Sequence, residues 1–313
     1  MAFLTRSLLP AALVVGLTGC IDFADFGDSD RYKEDFHYSY PLTPGGTVSL
    51  DNSNGSVEIS GWDQNTVEIN GTKYARSKML LDEVKIETNT SGGTVRIRTI
   101  RPVDNHGGSG ARYTIHVPRK VLLDTIATTN GSIKVDDVDG DARLKSTNGS
   151  IRTLKIHGEI NAHTSNGALE AEDLDGNANL ETTNGSIKVE GTHGSLDART
   201  SNGSITASLD NPSSNWPLKL HSSNGHIDLT IKSTKIPDVR ADTSNSSITV
   251  HLPSGVNARL RASTSHSNVT SDFDVLVSSG TIKSKTELEG TIGSGGPTLD
   301  LSSSNGSIKI LKY

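Results

Sequence analysis

Between Asn130 and Asn202 the chain repeats itself every 18 residues, and each repeat is a turn signal followed by an alternating strand. The copies read T-T-N-G-S-I at Thr128–Ile133, S-T-N-G-S-I at Ser146–Ile151, T-S-N-G-A-L at Thr164–Leu169, T-T-N-G-S-I at Thr182–Ile187 and T-S-N-G-S-I at Thr200–Ile205. A fixed period this short describes a solenoid, because one such unit cannot bury an apolar face alone and must stack on its neighbours. The signal returns at wider spacing at Asn224, Asn245 and Asn305, and once early at Asn54. Only 33% of the residues are hydrophobic and 4% aromatic. That composition resembles a disordered chain, but a thin core threaded through many coils needs few apolar residues per coil.

Counting from each Asn as position 0, positions 3 and 5 carry Ile133 and Val135, Ile151 and Thr153, Leu169 and Ala171, Ile187 and Val189, Ile205 and Ala207. Positions 12 and 14 carry Ala142 and Leu144, Ile160 and Ala162, Ala178 and Leu180, Leu196 and Ala198. Spacing of two within each group is strand periodicity. Gly140, Gly158, Gly176 and Gly194 recur between the groups, so each unit is two short strands and two turns. The second pair alternates small-large and large-small from unit to unit, which keeps rung volume constant only if equivalent positions stack. A parallel β-solenoid does that and an antiparallel meander does not. The expected fold is therefore all-β, a parallel β-solenoid of about 18–22 residues per coil. Parity places Asn130, Asn148, Asn166, Asn184 and Asn202 inward at a corner, as a ladder of amides between rungs ~4.8 Å apart. The glycine after each is expected to supply a positive φ.

Residues 1–19 read as a lipoprotein signal peptide, with Arg6 as its only charge and a short apolar stretch from Leu8 to Leu17. Leu17-Thr18-Gly19-Cys20 resembles the lipobox of bacterial lipoproteins, and Cys20 is the only cysteine in the chain. The resemblance implies cleavage before Cys20 and a lipid on its thiol, with Ile21 in the next position implying the outer membrane in a Gram-negative host. A single cysteine excludes an intrachain disulfide framework. Residues 20–35, rich in Asp, read as an acidic tether. Residues 36–313 read as one solenoid domain, with longer irregular coils at 36–127, regular coils at 128–206 and longer coils at 207–313. Within the first stretch, Lys73–Val84 leaves room for a helical turn, and Asp104–Gly110 reads as a surface loop.

Taken as a set, Pro44–Val48, Asn54–Val57, Gly61-Trp62-Asp63, Val117-Pro118, the 18-residue coils, Ile292–Pro297 and Asn305–Ile308 resemble the bacterial "putative-adhesin" domain, a domain of unknown function. The resemblance runs from Phe36 to Tyr313. It implies a right-handed β-solenoid at the cell envelope and brings no catalytic residues with it. Ser246 and His266 stand where the family pattern has Gly and Asn.

One column invites chemistry. Position 9 reads Asp139, His157, Asp175, His193 in successive coils, a solvated turn edge or, more sharply, a metal site or pH sensor. A second mixed column, Lys145, His163, Glu181 and Arg199, reads as an outer face that avoids like-charge stacking. No phosphate loop, zinc motif, nucleophile elbow or calcium-binding nonapeptide occurs, and no cofactor is implied. A formal net charge of −6 without a basic face argues against nucleic acid as a partner. The expectation is a non-enzymatic, lipid-anchored solenoid, held to the membrane by its N-terminal lipid and offering a polar surface to glycans or envelope proteins. The alternatives are a polysaccharide-acting enzyme on the same scaffold, or an envelope-stress accessory lipoprotein.

Overall fold

The apolar alternation is realised as two long, mainly parallel sheets, 13 and 14 strands wide among the described residues, facing each other across a thin core. The structure is a computed structural model and describes residues 30–102, 108–212, 215, 217–277 and 284–313. Cys20, Trp216 and most of the segment read as a tether lie outside those residues. At ~4.8 Å per strand the sheets run for about 60 Å.

In the regular region each coil contributes one strand to each sheet, in chain order. Ile133–Val138 pairs with Ile151–His157, and that with Leu169–Asp175, Ile187–Thr192 and Ile205–Leu209. On the other sheet Leu144 meets Ala162, Ala162 meets Leu180 and Leu180 meets Ala198, all four buried in one interior column. A third inward position, missed by strict alternation, carries Val138, Ile156, Leu174 and Thr192. It faces the core because Asp137, Lys155, Asp173 and Gly191 just before it adopt left-handed backbone (φ 60, 53, 56 and 61°), which skips one residue in the pleat.

The two ends depart from sequential coiling. At the N-terminal end Val57–Trp62 lies between Ile133–Val138 and Ser109–Pro118, so the second coil of the chain sits outside the first. At the other end the last coil, Thr298–Ser303 with Ile308–Lys312, wedges between coils that precede it in the chain. Antiparallel strands then finish both sheets at the N-terminal end and the 14-stranded sheet at the far end, where the 13-stranded sheet ends in the parallel strand Val269–Ser271. Tyr32–Pro41 and Thr66–Ala75 close one sheet, Lys85–Ser91 the other, and Glu287–Ile292 the far end. The stretch expected to be longer coils is thus one coil pair plus an antiparallel cap. The first strand begins at Tyr32, inside the span read as tether.

The N-terminal cap gathers most of the aromatic side chains. Phe36 packs edge-on to Tyr113 at 5.4 Å, and Tyr40 bonds Thr88 across the two sheets at 2.5 Å. The helix Lys78–Glu83, N-capped by Ser77, buries Leu81 at this end. Ser109 and Gly110, read as loop, belong to the strand Ser109–Pro118.

Candidate functional site

Among the described residues the thin core leaves the two sheet faces and the two corners that join them as the exposed surfaces. A shallow recess of about 190 Å³ between Pro41–Leu42 and the turn at Gly92–Gly93 is below the size of ordinary ligand sites.

The Asn corner is built from three registered columns. Asn130 Nδ2 donates to Asn54 Oδ1, Asn148 to Asn130, Asn166 to Asn148, Asn184 to Asn166 and Asn202 to Asn184, each at 2.7–2.8 Å. Asn224, Asn245 and Asn305 extend the run at 2.7 Å. These amides are exposed, except for Asn54, and do not point inward as parity suggested. The residue two before each Asn takes the inward place. Ser146, Thr164, Thr182, Thr200, Ser222 and Thr243 are buried, and their hydroxyls donate to Gly131, Gly149, Gly167, Gly185, Gly203 and Gly225 carbonyls at 2.9–3.0 Å. The repeated T of T-S-N-G was the available signal for this second ladder.

The corner glycines serve close approach, not a positive φ. None of Gly131, Gly149, Gly167, Gly185 and Gly203 has left-handed backbone. A Cβ on Gly167 would lie 2.0 Å from Gly149 O, and one on Gly185 1.8 Å from Gly167 O. The corner is also uncharged. From Thr129–Ser132 through the equivalent residues of each rung to Ser304–Ser307 and the outermost rung Ser265–Asn268 there is no Asp, Glu, Lys or Arg, and the ionisable residues are His226 and His266.

The opposite corner is acidic, with Asp136, Asp137, Asp139, Asp141, Asp173 and Asp175. Arg119 holds Asp63 at 2.8 Å and also contacts Asp137, and these two acceptors push its already high pKa further up. Of the position-9 column, His157 Nδ1 lies 2.9 Å from Asp139 Oδ1. Asp175 stacks beside His157, and His193 follows through its backbone N–H to Leu174 O. Among the described residues no group of three or more His, Cys, Asp or Glu is placed to hold a metal ion.

Outward charges on the faces form rung-to-rung pairs. His163 Nδ1 is 3.6 Å from Glu181, Arg152 3.1 Å from Glu170, and Arg143 2.8 Å from Asp124. Such exposed pairs contribute at most about 1 kcal/mol each. Trp62 is structural: its indole N–H donates to Thr66 O at 2.8 Å and its ring packs on His116. No described helix is long and apolar enough to cross a membrane.

The pattern of the Toastrack DUF4097 family matches residues 46–311, nearly the whole described body. The chain belongs to that family. No curated protein matches it. Among solved structures, a "putative lipid binding protein" from Parabacteroides distasonis is 14% identical, covers 88% of this chain and 96% of its own, and superposes with a TM-score of 0.42. A "putative adhesin" from the same species is 10% identical over 89% of this chain and 97% of its own, at 0.37. A "putative cell adhesion protein" from Clostridium sporogenes is 12% identical over 90% and 100%, at 0.22. These superpositions are loose, and the Toastrack register described above rests on the strand pairing of this chain alone.

Proposed function

We propose that this Toastrack chain is a lipid-anchored, non-catalytic binding module of the cell envelope, whose Asn corner engages extended, uncharged polar polymers of the glycan class. The chemistry of that corner carries the reading. A side-chain amide has two N–H donors and two acceptor lone pairs. The ladder uses one of each, so every exposed rung keeps one donor and one acceptor for a ligand, repeated each ~4.8 Å. Hydroxyls of Thr147, Thr183 and their equivalents flank them. The ladder already fixes the amide rotamers, so little further side-chain entropy is lost on binding. A neutral row of this kind matches the hydroxyls of a neutral polymer and offers no counter-charge to a charged one.

The Leu17–Cys20 motif supports anchoring at the envelope, on the outer membrane in a Gram-negative host, with the solenoid held off the bilayer by the acidic segment. Replacing Cys20 by Ala is expected to release the protein from membranes. Retention after alkaline washing would remove the anchor from the proposal.

Binding is tested by retention of the lipid-free mature chain on immobilised neutral and acidic polysaccharides and on whole envelope material. We expect retention on neutral glycans that salt does not weaken and that Thr147→Glu with Thr183→Glu abolishes at unchanged melting temperature. Retention that survives this pair of changes would place the contact elsewhere. Turnover of any of these polymers would replace the binding module by the enzyme alternative.

A further inference from the structure

Resting on the glycan reading of the Asn corner, we infer that this corner selects straight β-1,4-linked pyranose chains, which lie parallel to the solenoid axis with one sugar ring on each rung.

The corner keeps one spacing along the whole rod. The buried polar residue two before each Asn is followed five residues on by the buried apolar residue that opens the next strand: Thr128 by Ile133, Ser222 by Ile227, Ser303 by Ile308. Coil length does vary, with 22 residues from Asn202 to Asn224 and 21 from Asn224 to Asn245. The added residues fall at the opposite corner, between Leu209 and Leu218 and between Ile231 and Val239. A turn of this solenoid therefore accepts insertions, yet the Asn corner carries none. A ligand spanning many rungs needs that continuity, since one bulged turn would break the row.

The row repeats once per rung. Every ladder bond runs in the same sense, from Nδ2 of one Asn to Oδ1 of the Asn beside it toward the N-terminal end. The free donor and acceptor therefore recur unreversed every ~4.8 Å. From Asn54 to Asn305 the row spans about 38 Å, and the Asn from Asn130 onward are exposed.

A linear polymer engages such a row along its length only if its own repeat matches. An extended peptide rises about 3.4 Å per residue and presents the same edge every second residue, about 6.8 Å, so it falls out of step with the rungs. A β-1,4-linked pyranose chain runs straight and advances by close to one rung per ring. Successive rings turn over, but a hydroxyl both donates and accepts, so either ring face meets the amide donor and acceptor. An α-1,4-linked chain of the same sugar coils and carries its hydroxyls away from a straight row.

Calorimetric titration of the lipid-free mature chain with glucose oligomers of increasing length, β-1,4- or α-1,4-linked, tests the match. Affinity for the β-linked series should rise about two- to tenfold with each added ring, while the α-linked series stops gaining after its first rings. A variant lacking residues 148–183 loses two coils, with Asn148 and Asn166, and keeps the core alternation because Leu144 then meets Ala198. On a β-linked polymer long enough to cover the parent row, its affinity should fall by the factor that two rings contribute in the oligomer series. Equal affinity for the two linkages, or a β-linked series that stops gaining after its first rings, would overturn the register and leave the glycan reading standing. A Ser/Gly-rich peptide bound as tightly as the β-linked chain would overturn the choice of polymer. Binding of neither series, together with no retention on any neutral polysaccharide, would remove the glycan reading and the register with it.

Discussion

Leu301 stacks on Ala241, a residue far behind it in the chain, and carries Ala262 on its other side. That placement continues a column that alternates large and small through Leu144, Ala162, Leu180, Ala198, Leu220, Ala241, Leu301, Ala262 and Leu288. In chain order the alternation would fail, because Ala241 would meet Ala262. The out-of-order wedge of the last coil is thus what the core volumes demand: two alanines stacked together would leave a void, and a leucine between them fills it.

Leu301→Ala would place three alanines in succession and open a cavity in a core too thin to collapse around it. The expected loss is about 2–5 kcal/mol by urea unfolding. Ala262→Leu added to it should recover part of that loss, since the added volume enters the same space. A double variant no more stable than the single would show that the column does not share volume between rungs.

How far this architecture can be read from sequence depends on where the physics is periodic. In the regular coils the side chain at a given position always meets its equivalent, so the Leu144–Ala198 column and the Asn and Gly corners follow from the 18-residue period. At the ends the pairing joins segments with no fixed spacing, such as Val57–Trp62 with Ile133–Val138, and no period marks it. The inward place of Val138, Ile156 and Leu174 was hidden by a left-handed residue that shifts parity. The Asn side was misjudged for a related reason: parity was carried through a corner, where the pleat does not hold, and Thr182 and its equivalents occupy the inward slot instead.

The glycines of the corner should respond to substitution according to space and not backbone angle. Gly167→Ala would drive a methyl to 2.0 Å from Gly149 O, a backbone atom with nowhere to go. A loss of about 1–3 kcal/mol or more is expected from the overpacked rung. Gly92→Ala has left-handed φ but no atom within 4 Å, so about 1–2 kcal/mol of local strain is expected, without a shift of neighbouring rungs. Backbone amide chemical shifts separate the two: Gly167→Ala should perturb the coils above and below, and Gly92→Ala its own turn only.

The two ladders of the corner should also differ. Asn166→Ala removes two exposed hydrogen bonds that water can replace, so about 1 kcal/mol is expected. Thr182→Val keeps the shape but leaves the Gly167 carbonyl, and the Gly185 N–H that bonds Thr182 Oγ1 at 3.3 Å, without a buried partner. That should cost about 1–3 kcal/mol. Thermal unfolding that ranks Asn166→Ala as the more damaging change would mean the exposed amides, not the buried hydroxyls, hold the corner.

Alkaline pH should open the molecule from its N-terminal end. Burial pushes the Tyr113 phenol well above its ordinary value, against a lowering contribution from Thr99, whose hydroxyl it meets at 2.6 Å. Burial also raises Tyr38 and Tyr74, the latter despite the Arg112 guanidinium over its ring. An unfolded tyrosine titrates near pH 10. A phenol whose folded pKa is raised favours the fold while protonated, so this stability is fully present below about pH 10 and is lost as pH climbs toward the folded values. All three side chains belong to the N-terminal cap, and the regular coils hold no tyrosine. Hydrogen exchange above pH 10 should therefore show Thr94–Ile100 and Ser109–Pro118 opening before Ile151–His157. Tyr113→Phe should move that onset upward while costing about 1 kcal/mol at neutral pH for the lost Thr99 bond. Uniform opening along the rod, or an onset unmoved by Tyr113→Phe, would show that the cap phenols do not govern alkaline stability.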